Sequence, residues 1–236
     1  MDSEKVIKRD NEYVLHTYNR SPIVLEKGHG LYAEGPEGQK YLDFTSGIGV
    51  NSLGYCDEDW VNAICDQAHK IQHTSNYYYT KVQAEFAERL SEATGMKNMF
   101  LCNSGAEANE CAIKIARKYS FDKYGKGRHN IITLVNSFHG RTITTLAATG
   151  QDSFHTVFDP FTPGLKYCPA NDIAALQAAA TDDVCAVLFE CVQGEGGVNN
   201  LGPTFVSAIA KLAKEKDILI AVDEVQTGNG RTGTYF

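Results

Sequence analysis

Four short polar strings in this chain each follow directly on an apolar run, and their residue types are those that hold anions, flat rings and cations. The first, Asn103-Ser104-Gly105-Ala106-Glu107-Ala108-Asn109-Glu110, follows Met99–Cys102. Ser104 with Glu107 three residues later fits a capping box that opens a helix. Gly105 and Ala106 are small, so backbone N–H groups there can approach a ligand closely. A helix N-terminus with free amides and a favourable dipole is a ready anion site. Read alone, the string is a plain helix cap by odds of roughly three to one; its neighbours have to raise the stakes.

The second string is Asn136-Ser137-Phe138-His139-Gly140-Arg141-Thr142, after Ile131–Val135. An aromatic at a strand end can cover the face of a flat ring, and an arginine can grip a carboxylate through two parallel bonds. A packed Phe138 and a solvated Arg141 is the simpler reading of this segment in isolation. His139 has no partner supplied by the spacing and stands as a neighbour of such a ring. The third, Glu190-Cys191-Val192-Gln193-Gly194-Glu195-Gly196-Gly197, places two carboxylates and an amide on one edge after Val184–Phe189. The fourth, Asp223-Glu224-Val225-Gln226-Thr227-Gly228, follows Ile218–Val222, a run apolar enough to be buried on both faces. A carboxylate leaving such a strand needs a partner, because an unpaired buried charge is costly. A protonated ring nitrogen or a structural arginine would serve.

The elements that must carry these strings alternate along the chain. Short apolar runs interleave with amphipathic segments such as Glu107–Tyr119, Ile173–Ala180 and Phe205–Lys214. That alternation predicts an α/β fold, a mostly parallel sheet with helices on both faces. In such sheets ligands sit beyond the carboxyl ends of the strands, which is where all four strings fall. Upstream, Leu31–Glu34 and Lys40–Phe44 flank Gly35-Pro36-Glu37-Gly38 and read as a hairpin. Val61, Ile64, Ala68 and Ile71 recur at helical spacing behind an Asp57 cap; Val82, Phe86, Leu90 and Ala93 do the same and end at Gly95. The change of character near residue 55 suggests a smaller unit, 1–55, and a larger one, 56–236.

Composition narrows the partners. With 22 basic and 29 acidic residues the net charge is −7, which argues against nucleic acid or an anionic membrane as the main partner. A small anionic ligand held by a few local donors is still compatible. Seven scattered cysteines without a CxxC pair indicate a reducing compartment and no metal site of that spacing. Residues 1–11 are highly charged and lack the apolar stretch of a signal peptide, and no run is apolar enough to span a bilayer. The expected setting is the cytoplasm.

Taken together, Tyr18-Asn19-Arg20-Ser21-Pro22, Tyr41-Leu42-Asp43-Phe44, Asn103–Glu110, Phe138–Thr142, Gln193–Gly197 and Asp223–Gln226 resemble the class III, fold-type-I pyridoxal-phosphate aminotransferases. The strings fall in the family's order from Tyr18 to Phe236. Among members of the family the resemblance is strongest to those acting on acetylornithine; those acting on ornithine or 4-aminobutyrate share the pocket. The resemblance implies pyridoxal 5′-phosphate as cofactor, an amino acid and a 2-oxo acid as substrates, and a homodimer in the complete enzyme. It implies that Ser104, Gly105 and Ala106 hold the phosphate, although Ala106 stands where many relatives have threonine. Phe138 would stack on the ring, Asp223 pair with the ring nitrogen, Glu224 and Val225 line the same edge, and Gln226 bond the ring's phenolic oxygen. Arg141 would take the substrate carboxylate, Glu195 help choose between substrates, and Tyr18 close over them. Glu190 matches a further active-site carboxylate, with Cys191 in place of the usual proline.

The resemblance also implies a lysine, the covalent anchor and proton carrier, in a Lys-Gly string beyond Asp223–Gln226. The chain ends 13 residues after Asp223, and Lys126-Gly127 lies in a charged turn. The expectation is therefore a family fold incomplete at its C-terminus, two strands short of the family's seven, and without activity as it stands. A non-catalytic fragment that binds cofactor or a partner is the alternative of another class.

Overall fold

The apolar segment Val184–Phe189 is buried at every position, which only a central strand flanked by helices on both faces achieves. The computed structural model describes residues 1–236 and places this segment as β6 in a four-stranded parallel sheet. Its partners are β4 (Asn130–Leu134), β5 (Leu165–Cys168) and β9 (Leu219–Val222), in the order β5-β4-β6-β9. The β4–β6 register shifts between Asn130 and Ile131. A two-residue ribbon, β7 (Val192–Gln193) with β8 (Asn199–Asn200), follows β6.

Helices cover both faces. On one, α6 (Ile173–Ala179) and α7 (Pro203–Lys216) pack Leu176, Phe205 and Ile209 against Ile132, Val187 and Phe189. On the other, α4 (Gly105–Tyr124) and α5 (Ile143–Ala148) set Ile113, Ala116 and Ala148 on Ile131, Ala186 and Leu188. The helix ends follow local chemistry. Asp172 accepts from Ala175 N–H at the start of α6; α7 opens with Pro203 in its first turn and closes at Asp217, which takes the left-handed conformation.

Two sequence expectations fail here. Met99–Cys102 is not a strand: no neighbouring strand offers its backbone, and Phe100 and Leu101 remain exposed. Ile218–Val222 is not buried on both faces either. β9 is the last strand of the order, so Ile220 and Val222 stay 44% and 45% exposed. Both runs have strand-like composition, but pairing and burial are decided by which neighbours exist.

The chain divides into two compact units, Met1–Ala84 and Glu85–Phe236, a boundary beyond residue 55. The first contains α1 (Ser3–Tyr13), an antiparallel sheet of β1 (Lys27–His29), β2 (Tyr32–Glu34) and β3 (Lys40–Leu42), and α2 (Glu58–Ala68). The boundary falls inside α3 (Lys81–Thr94). The predicted Leu31–Phe44 hairpin is present as β2–β3, and Asp57 caps α2 by accepting from Trp60 N–H. Ala33 is the single buried apolar residue of the first unit, and neither α2 nor α3 buries any side chain. No helix of the chain is long and apolar enough to cross a membrane.

Candidate functional site

The first turn of α4 leaves backbone amides without intrahelical acceptors. Ser104 Oγ takes one, Glu107 N–H at 3.2 Å. The Glu107 carboxylate reaches back past the cap to Asn103 N–H at 2.6 Å, so the expected box closes one residue early. That N–H holds the Glu107 carboxyl below its ordinary range. Gly105 and Ala106 lie at the head of the helix, and neither carries a side chain beyond Cβ. Their backbone N–H groups belong to the first turn of α4, the position at which a helix can receive an anion.

The loops after β4, β6 and β9 converge on this helix start. A Cβ at Gly105 would lie 2.7 Å from Val225 Cγ2, and one at Gly140 would lie 2.7 Å from Ala106 Cβ. The helix head is therefore wedged between the loop after β9 and the Phe138–Arg141 loop. Gln193, buried, donates to the Val135 carbonyl at 2.9 Å and ties the loop after β6 to the end of β4. Phe138 N–H donates to Glu190 Oε2 at 3.0 Å across the same gap. Gln226 donates to Glu195 at 3.2 Å, and its amide lies so close over Gly194 that a Cβ there would come within 2.2 Å of it. Arg141 sits over the Phe138 ring at 5.6 Å.

At the centre is Asp223. Its Oδ2 accepts from Asn109 Nδ2 at 2.7 Å and from His139 Nδ1 at 2.8 Å, and its Oδ1 from Val225 N–H at 3.1 Å. Burial pushes this carboxyl up, but the hydrogen bond and charge of His139, with the Asn109 and Val225 donors, outweigh it and hold Asp223 below the usual carboxylate range. Glu190 goes the other way. Burial raises it to about 7, against the pull of the Phe138 and Gly194 N–H groups and with the push of Asp223 and Glu195. Two carboxyls at neighbouring strand ends thus depart from the ordinary range in opposite directions, because only one of them meets His139 and Asn109, an arrangement typical of sites that do chemistry.

Ser104, Gly105, Ala106, Phe138, Arg141, Glu190, Glu195, Asp223, Glu224, Val225 and Gln226 all lie in the second unit, at the helix head or on these three loops. Tyr18 belongs to the first unit, where it lines a cavity of about 420 Å³ with Asp10 and Arg20. Three residues of the quoted strings have a bond here that the sequence reading did not assign. His139 does have a partner, Asp223, from 84 residues away. Asn109 and Gln193 are legible in the sequence only as polar residues near interesting ones. The signal for Asn109 is its spacing: four residues after Gly105 puts it on the same helix face, one turn deeper.

This donor set suits a phosphorylated, cationic flat ring. There is an anion cup without side chains, a half-buried aromatic face at Phe138, and a buried carboxylate held charged while Oδ1 keeps a free lone pair. His139 Nε2 is buried without any partner, a further polar atom facing inward.

Comparison with known proteins agrees. The family described as aminotransferase class-III matches residues 13–236. Acetylornithine aminotransferase of Haemophilus ducreyi is 53% identical over all of this chain and 60% of its own length; that of Methanocaldococcus jannaschii is 47% identical over 100% and 59%. Among solved structures, ornithine aminotransferase of Toxoplasma gondii superposes with a TM-score of 0.94 at 33% identity, covering 100% of this chain and 56% of that one. Acetylornithine aminotransferase of Elizabethkingia anophelis gives 0.84 at 32%, covering 100% and 56%. The chain thus spans about 60% of the length of the curated relatives it matches.

Proposed function

The chain belongs to the class-III aminotransferases, and on that premise we propose that it binds pyridoxal 5′-phosphate and serves transfer of the distal amino group of N2-acetylornithine to 2-oxoglutarate, a step of arginine biosynthesis. The observation that carries this reading is the buried Asp223 carboxylate, its proton affinity held low, bonded to Asn109 one helical turn into α4 from Gly105. When bound, the cofactor supplies a ring that takes up electrons as a proton leaves the carbon bearing the amine.

The chain's own groups divide the remaining work. Gly105 and Ala106 N–H groups and Ser104 hold the phosphate. Asp223 would hold the cofactor through its ring nitrogen, and its low proton affinity would leave the proton on the nitrogen and the negative charge on the carboxylate. Phe138 covers one ring face, and Gln226 offers its amide to the ring oxygen, with Glu224 and Val225 along that edge. Arg141 takes the substrate carboxylate. Glu195, already bonded to Gln226, discriminates between substrates, and Glu190, with its raised proton affinity, holds a proton near the reacting end.

The lysines of residues 85–236 are exposed or, for Lys166, half-buried in a pair with Asp183. We therefore propose that this stretch holds the cofactor reversibly and without turnover of its own. A homodimer is supported by the uncovered apolar side chains of the first unit, such as Phe44, Ile48 and Tyr77. Residues 1–55, with the antiparallel sheet, go to a smaller domain and 56–236 to the cofactor-binding one. Seven free thiols support a reducing, cytoplasmic setting.

The test is titration of the protein with pyridoxal 5′-phosphate, followed by absorbance and by quenching of Trp60. Saturable binding is expected, and Asp223→Ala should weaken it about 10- to 100-fold through loss of a charge-assisted bond. Equal affinities in the two proteins would overturn the reading. Acetylornithine, ornithine and 4-aminobutyrate, assayed as competing donors with the full-length enzyme, decide the substrate.

A further inference from the structure

Asn109 is a buried amide whose two donor hydrogens both have acceptors: Asp223 Oδ2 at 2.7 Å and the His139 carbonyl at 2.9 Å. Two acceptors settle which way the amide points, because its oxygen could bond neither. We propose that Asn109 is a positioning residue that sets which oxygen of Asp223 meets the cationic ring atom of the cofactor. This deepens the functional reading above and rests on it.

The reasoning is a count of lone pairs. Oδ2 receives both Asn109 and His139 and is saturated, whereas Oδ1 receives only Val225 N–H. A ring N–H therefore finds its place at Oδ1. Without Asn109, His139 still holds Oδ2 and Val225 N–H still holds Oδ1, but each oxygen then keeps an open lone pair and the ring N–H divides between two places. The same amide also fixes the His139 carbonyl, so one side chain locks the Phe138–His139 loop and the carboxylate to each other. Both are then fixed to α4. Asn109 lies four residues after Gly105, a rise of roughly 6 Å, so the anion cup and the cation partner are held at a set separation by one rigid helix. No aliphatic residue could do this, and an aspartate at 109 would bring a second negative charge against Asp223.

Asn109→Leu keeps the volume and removes both donors; Asn109→Asp keeps the shape, with no donor when ionised and one when protonated. The titratable groups facing position 109 are Asp223 from the end of β9, His139 from the loop after β4 and, beyond Asp223, Glu190 from the end of β6. Dissociation constants for pyridoxal 5′-phosphate are measured from pH 5 to 9 for wild type and both variants, beside unfolding midpoints without cofactor. Asn109→Leu should weaken binding about tenfold or more at every pH. Asn109→Asp should weaken it more at pH 8 than at pH 5, where a protonated carboxyl restores one donor. Affinities within twofold of wild type in both variants overturn the inference. So does a loss in Asn109→Asp that ignores pH and only follows a lowered unfolding midpoint, the mark of a merely structural residue. If wild type binds no pyridoxal 5′-phosphate, the functional reading falls and this one with it. If wild type binds, is sensitive to Asp223→Ala and is indifferent to position 109, only this one falls.

Discussion

At the scale of single residues, the pair Asp223 and Glu190 is the most informative, because both are buried carboxyls on adjacent strand ends and they depart from the ordinary range in opposite directions. For Glu190 the folded value, about 7, lies above the ordinary 4.5. The folded state therefore binds this proton more tightly than the unfolded state, and its contribution to stability is complete below about pH 4.5 and lost as pH rises through 7. The difference in unfolding free energy between wild type and Glu190→Gln should fall by on the order of 3 kcal/mol between pH 4.5 and 8, since a tenfold change in proton affinity is worth about 1.4 kcal/mol. Urea unfolding at several pH values checks this; a difference flat with pH would remove Glu190 as a buried proton carrier. Sequence could nominate both carboxyls, but not their split. The split depends on His139 and Asn109 reaching Asp223 and not Glu190, which are contacts over 84 and 114 residues of chain.

Elements position these residues through close backbone approach. Gly140 has φ +128°, and a Cβ there would meet Ala106 and Thr145 at 2.7 Å each. Gly140→Ala should cost about 3 kcal/mol or more by adding overpacking to backbone strain, and should weaken pyridoxal 5′-phosphate binding by moving both the helix head and the Phe138 loop. Gly127→Ala is the control: its φ is +105° but nothing lies within 4 Å, so only strain of about 1 kcal/mol remains. Chemical denaturation of the two variants separates the effects, and equal losses would mean that the wedge at Gly140 is unimportant. Periodicity and caps made α2, α3, α4, α6 and α7 legible, because these are local signals. The 99–102 run misled for the same reason: its composition is local, and its pairing is not.

For the whole molecule, the contrast between units matters most. The second has two clusters of buried apolar side chains, one on each face of the sheet. The first buries only Ala33 among its apolar residues, although α2 carries an apolar stripe at helical spacing. A segment that buries so little cannot offset the conformational entropy of ordering. Residues 1–95 alone should show no cooperative thermal transition by circular dichroism, whereas residues 95–236 should; a sharp transition in the shorter piece would show a core that the structure lacks. In sedimentation velocity the intact chain should run heavier than its 25.9 kDa monomer, as the proposed dimer requires.

What the sequence by itself determined was the family and the strings in which its chemistry is to be sought. The small residues at a helix cap, the aromatic and arginine after one apolar run, and the carboxylate after another are all local in the chain; the strand-end rule holds for the last two, whereas no strand precedes the first. The tertiary structure alone decided how they are wired: that His139 and Asn109 saturate one oxygen of Asp223, that Glu190 binds its proton more tightly than Asp223 does, and that β9 is an edge. Each of these turns on which distant group occupies a lone pair or a vacant face. No spacing along a chain records that, because hydrogen-bond saturation and desolvation are properties of a neighbourhood in space.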